Sequence, residues 1–83
     1  MKLRYFAWVR ERAGIAEEEV ALPEGVATVG ELIGWLRTRG PEFDHAFEAA
    51  QTIRAAIDFT QAEHSAKLAG AREIAFFPPV TGG

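Results

Sequence analysis

The chain has no cysteine among its 83 residues, which excludes a disulfide framework, a thiol nucleophile and any thiolate metal site. No persulfide can ride on a side chain. The only two histidines, His45 and His64, stand alone among polar neighbours, so both are expected at the surface rather than as ligands or bases, and no metal site is expected. Nine Lys and Arg face twelve Asp and Glu, a formal net charge of -3. Without a basic excess there is little to displace counterions from a phosphate backbone, and nucleic acid is not an expected partner. No apolar run approaches the roughly 20 residues that span a bilayer. Lys2, Arg4 and Arg10 interrupt what would otherwise be a signal-peptide core, so the expectation is a soluble cytoplasmic protein without membrane association. Gly-rich phosphate loops, H-E-x-x-H and G-x-S-x-G are also missing. What remains is a chain 48% hydrophobic, enough for one compact domain but too short to enclose a deep active site of its own. Function is therefore expected on the surface or at an end.

Alternation from Lys2 to Val9 predicts a first strand, with Leu3, Tyr5, Ala7 and Val9 on one face and Lys2, Arg4, Phe6 and Trp8 on the other. That second face, half charged and half aromatic, fits either cover for a loop or contact with a partner. A short second strand is expected around Glu17 to Leu22 before the Pro23-Glu24-Gly25 turn, its three glutamates forming a solvated edge that discourages pairing. Thr28 and Glu31 make a capping-box pattern, and Val29, Leu32, Ile33 and Leu36 follow at amphipathic helical spacing. Arg37 and Arg39 suit the negative end of that helix, with Gly40 as a left-handed cap and Pro41 as a stop. Residues 42 to 50 read as a shorter helical turn carrying Phe43 and Phe47, Thr52 to Ile57 as a strand, 59 to 71 as irregular or partly helical, and Arg72 to Phe77 as a last strand. The sum is an α+β domain over residues 1–77, one main helix packed across a sheet, with no repeat or linker.

Residues 78–83 break this pattern. Pro78 and Pro79 fix φ and remove two backbone donors, so the chain should leave the sheet as a stiff arm continuing through Val80, Thr81, Gly82 and Gly83. Six extended residues reach roughly 20 Å, enough to enter another protein's pocket. Two glycines present a carboxylate on a backbone free of side chains, able to pass a narrow channel. Such a carboxylate is a competent nucleophile towards ATP, and a sulfur donor attacking the acyl-adenylate would leave a thiocarboxylate. At average glycine usage a terminal Gly-Gly arises by chance in roughly one chain in 200, so the dipeptide gains meaning only from what precedes it.

The string Ala75-Phe76-Phe77-Pro78-Pro79-Val80-Thr81-Gly82-Gly83 resembles the C-terminal signature of the small subunits of molybdopterin synthases, and Phe6-Ala7-x-Val9-Arg10-Glu11 resembles that family's first-strand pattern. The chain departs from the family in reading Gly70-Ala71-Arg72-Glu73 where a Gly-Asp-Glu turn is usual, and Asp58 where an Asn-like strand ending is common. The resemblance implies a ubiquitin-like β-grasp fold with a mixed sheet and an extended C-terminal tail. It implies that Gly83 is adenylated by an E1-like enzyme at the expense of ATP and converted to a thiocarboxylate with sulfur from a donor protein. It further implies docking of the tail, Pro78 to Gly83, in the large subunit of the synthase, where sulfur passes to cyclic pyranopterin monophosphate. Two small subunits flank a dimer of large subunits in that family, and no tightly bound cofactor is implied for the small subunit. Phe6, Phe76 and Phe77, aromatics flanking the tail, are placed at the partner interface on physical grounds, with a core role as the competing reading. The alternatives are a carrier for thiazole or thio-amino-acid synthesis, a ubiquitin-like modifier joined to lysines through Gly83, or an interaction domain with an inert tail.

Overall fold

The structure, a computed structural model, describes residues 1–79. Five strands form one mixed sheet: β1 (Lys2–Tyr5), β2 (Glu17–Glu19), β3 (Arg54–Ile57), β4 (Thr60–Ala62) and β5 (Glu73–Phe77), in the spatial order β2-β1-β5-β3-β4. Only the central pair, β1 and β5, is parallel, with Leu3 opposite Ile74 and Tyr5 opposite Phe76. The helices α1 (Ala7–Ala13), α2 (Val29–Arg37) and α3 (Pro41–Ala46) complete the α+β layout. This is the β-grasp arrangement implied by the resemblance.

Alternation sends Leu3, Tyr5, Ala55, Ile74 and Phe76 to the inner sheet face, where they are buried against Val29, Leu32, Ile33 and Leu36 of α2. Phe47, after α3, meets Phe76 edge-on with ring centroids 5.2 Å apart, and Tyr5 stacks on Phe76 at 6.1 Å. The capping box closes as the sequence predicts: Thr28 Oγ1 accepts the Glu31 N–H at 3.2 Å, and Glu31 Oε1 accepts the N–H groups of Thr28 and Ala27.

Four expectations need correction. β1 ends at Tyr5, and Ala7 to Ala13 form a helix rather than continued strand. Val9 is buried as expected, but because Val9 and Ala13 share the inner face of a helix; four residues of alternation fit either period until the next turn is counted. Gly40, with φ +144, is the N-cap of α3 and precedes its Pro41, while Thr38 caps α2. Arg39 does not merely complement a helix end: its guanidinium crosses to Glu18 on β2. The segment read as irregular contains β4, too short and polar to leave a period, and an isolated bridge from Lys67 to Thr28.

Candidate functional site

β5 occupies the middle of the sheet, hydrogen-bonded on both sides, so the strand that leads into the tail is the most firmly held. Phe6 N–H continues the ladder by donating to the Phe76 carbonyl at 3.0 Å, which places Phe6 and Phe77 at neighbouring positions on the outer face. Phe6 is 39% exposed, with the Arg4 guanidinium 5.3 Å from its ring centroid. Phe77 is half-buried opposite Arg54. Ala75 and Ala56, paired in register, continue the outer face as a low, uncharged surface. Pro78 and Pro79 follow, both half-buried.

Phe76 is a correction. Its ring is fully buried, packed between Tyr5 and Phe47, because alternation that turns Phe77 outward must turn Phe76 inward. Of the three aromatics expected at an interface, Phe6 and Phe77 reach the surface together and Phe76 belongs to the core. Val80, Thr81, Gly82 and Gly83, expected to form the tail, lie outside the described residues.

Pro79 lines a recess of about 610 Å³ with Thr52, Arg54, Gln61 and His64. His64 is not the exposed residue the sequence predicts. It is half-buried, with Nε2 2.7 Å from the Ile53 carbonyl, so that nitrogen donates and the ring ties the segment after β4 to the start of β3. His45 is exposed, 3.4 Å from Glu48. Among the described residues no cluster of His, Cys, Asp or Glu is arranged to hold a metal ion, and no helix is long and apolar enough to cross a membrane.

The ion pairs of the outer face sit on its β1 and β2 side, with Arg54 across β5 from them. Glu17 lies 3.7 Å from Lys2 and 3.9 Å from Arg4, and Arg4 also reaches Glu73 at 3.7 Å. Glu18, on the inner side of edge strand β2, accepts the Tyr5 hydroxyl at 2.7 Å and both terminal nitrogens of Arg39 at 2.7 and 2.9 Å. The Arg39 hydrogen bonds hold the Glu18 carboxyl below the usual range, and burial followed by the Glu18 charge pushes the Tyr5 hydroxyl well above its own. Sequence reading took the three glutamates as a solvated edge; an aromatic at inward position Tyr5 and an Arg after α2 gave no local sign that they converge on Glu18. The arrangement braces the sheet edge against the helical layer.

The surface beside the tail root offers two aromatics, small neutral side chains and Arg54, and Glu63 and His64 line the recess at Pro79. Its partly exposed aromatics suit it to docking a partner. The sequence profile of the ThiS family matches residues 3–83. A putative molybdopterin converting factor subunit 1 from Pyrococcus furiosus is similar, with 30% identity over 95% of each chain and a TM-score of 0.72. SAMP1 from Haloferax volcanii is similar at 29% identity, covering 100% of this chain and 98% of that one, again with a TM-score of 0.72. A second structure of the H. volcanii small archaeal modifier protein 1 gives 27% identity, coverage of 96% and 97%, and a TM-score of 0.71. No curated protein sequence matches.

Proposed function

The chain belongs to the ThiS family, and on that premise we propose that it is a sulfur carrier acting as the small subunit of a molybdopterin synthase. One observation carries the reading: the doubly paired central strand β5 ends at Phe77 on an aromatic surface and runs straight into Pro78-Pro79, followed in sequence by Val80-Thr81-Gly82-Gly83. We place the boundary between folded body and tail there. A rigid central strand fixes the starting point and direction of a tail that must be delivered into another protein.

In this reading a Gly83 carboxylate oxygen attacks the α-phosphorus of ATP on an E1-like enzyme and pyrophosphate leaves. A hydrosulfide equivalent from the sulfur donor then attacks the acyl carbon, AMP leaves, and Gly83 bears a thiocarboxylate. On the large subunit that sulfur displaces an oxygen substituent from a carbon of cyclic pyranopterin monophosphate, a C–S bond forming as a C–O bond breaks, and water hydrolyses the resulting thioester to return the Gly83 carboxylate. Phe6 and Phe77 supply apolar contact with the large subunit, which in this reading also supplies proton transfer. The putative converting factor from P. furiosus supports this acceptor.

Because the chain has no cysteine, a thiol-alkylating reagent has one expected target. Protein purified with its partners should carry a single label on the C-terminal peptide, at Gly83, lost when Gly83 is deleted. No label in the presence of an activating enzyme, ATP and sulfur donor would sink the proposal. The small archaeal modifier structures support a second reading, in which a lysine amine rather than sulfur displaces AMP. Isopeptide adducts joining Gly83 to lysines of other proteins would favour it.

A further inference from the structure

β3 and β4 are joined by only two residues, Asp58 and Phe59, with φ of +47 and +72 and with Ile57 paired to Thr60 across the turn. Two successive positive φ values in a two-residue hairpin mark a type I′ turn, whose second position ordinarily goes to glycine because a Cβ is strained there. Phe59 is a large, unbranched exception. Its ring does nothing for the fold in return: it is 81% exposed and lies outside both the core and the side chains packed on it. The mount beneath it is firm. The Asp58 carboxylate accepts the N–H groups of Arg72 and Glu73 at 3.0 Å each, and the Asp58 N–H donates to the Glu73 carbonyl at 3.0 Å, tying the hairpin tip to the start of β5. A strained backbone that holds a large aromatic in solvent on a rigid mount has the properties of a preorganised anchor, since little freedom is lost when it is bound.

Between this tip and the tail root the outer sheet face carries Ala56, Gln61, Ala75 and then Phe77, all uncharged. Charges border this strip on both sides: Lys2 and Arg4 are paired with Glu17 and Glu73 towards β1 and β2, and exposed Arg54 of β3 stands opposite Phe77. A partner surface reaching from Phe77 to Phe59 therefore also meets the Arg54 guanidinium beside Phe77. The tail itself ends in two residues without side chains, so an enzyme that must choose this carrier among diglycine chains has to read the body.

We infer that Phe59 is a specificity-determining contact for the enzyme that adenylates the tail, its ring filling an apolar pocket on that enzyme at the far end of the sheet from Pro78. This rests on the carrier reading above. ATP–pyrophosphate exchange by the activating enzyme, with the full-length chain as varied substrate, tests it. Phe59→Gly suits the turn, so its melting temperature should equal or exceed that of the unchanged chain. Its KM in exchange should rise by about tenfold, the scale of a lost aromatic anchor, with the effect on KM rather than kcat. Phe59→Tyr, which keeps the ring, should restore the unchanged chain's KM. An unaltered KM for Phe59→Gly would overturn the inference alone, as would a defect confined to the later sulfur-transfer step. No exchange with the unchanged chain would overturn the carrier reading together with it.

Discussion

At the scale of residues, a single carboxylate joins the edge strand to the helical layer. Glu18 is bound by Tyr5 and by both terminal nitrogens of Arg39, whose guanidinium also lies 4.7 Å from the Phe43 ring centroid and 5.2 Å from that of Trp35. An inward-facing charge on an edge strand discourages pairing with another chain, provided it has partners at home. Arg39→Met would leave the half-buried Glu18 without its charge-assisted bonds and should cost about 2 kcal/mol, read as a lower denaturant midpoint. The sign of the pH effect follows from the lowered Glu18 pKa. Such a group contributes stability above its unfolded value, about 4.3, and that contribution is lost as pH falls through the depressed folded value. Melting temperatures measured from pH 7 to pH 3 should therefore fall below about pH 4.3, and Glu18→Gln should flatten the fall while lowering stability at neutral pH. Glu31, also lowered by the Ala27 N–H and Thr28, keeps part of the slope. An equally steep acid loss in Glu18→Gln would show that Glu18 is not a source of it.

At the scale of elements, the clearest local signal produced the clearest local structure. Thr28 and Glu31 exchange hydrogen bonds at the start of α2, and the face of Val29, Leu32, Ile33 and Leu36 is buried along its length. Thr28→Ala removes an acceptor for the Glu31 N–H and should cost about 1 kcal/mol in chemical denaturation; no change would mean that Glu31 holds the helix start by itself. The β1–α1 junction behaves differently. Phe6 still pairs with β5, but Ala7 adopts φ +51 and the chain reverses into α1. Helix α1 ends at Gly14, whose N–H donates to the Arg10 carbonyl with φ +85. The short apolar run before it has no N-cap side chain, and a glycine can end a strand as well as a helix, so nothing local distinguished the two.

At the scale of the whole molecule, two adjacent phenylalanines divide the labour between stability and docking. Phe76 stands at the centre of the aromatic core, and Phe76→Ala should cost about 3–5 kcal/mol, close to the whole stability of a domain this small. Phe6→Ser removes a ring that is already partly in solvent, so its effect on unfolding should be much smaller, about 1 kcal/mol. In the proposed assembly the same change should weaken association with the large subunit by about tenfold in titration calorimetry. Equal binding by Phe6→Ser and the unchanged chain would remove Phe6 from the interface. A well-packed body, a central last strand and a low aromatic surface together suit the proposed carrier role.

The sequence by itself determined the single α+β domain, the α2 helix with its cap, the final strand, the lack of a cysteine thiol, and the order Pro78-Pro79-Val80-Thr81-Gly82-Gly83 after it. These are written in local order: a capping box spans four residues, a strand period two, and a tail motif needs no folding to be read. Tertiary structure decided what depends on distant segments meeting. It buried Phe76 and left Phe77 outside, turned Trp8 and Val9 onto a helix, brought Arg39 to Glu18, and made His64 a latch on Ile53. It also set Phe59 in a glycine position at the tip of a two-residue turn. Each of these is fixed by long-range register and packing, whose energies belong to pairs of residues far apart in the chain and leave no mark on either member alone.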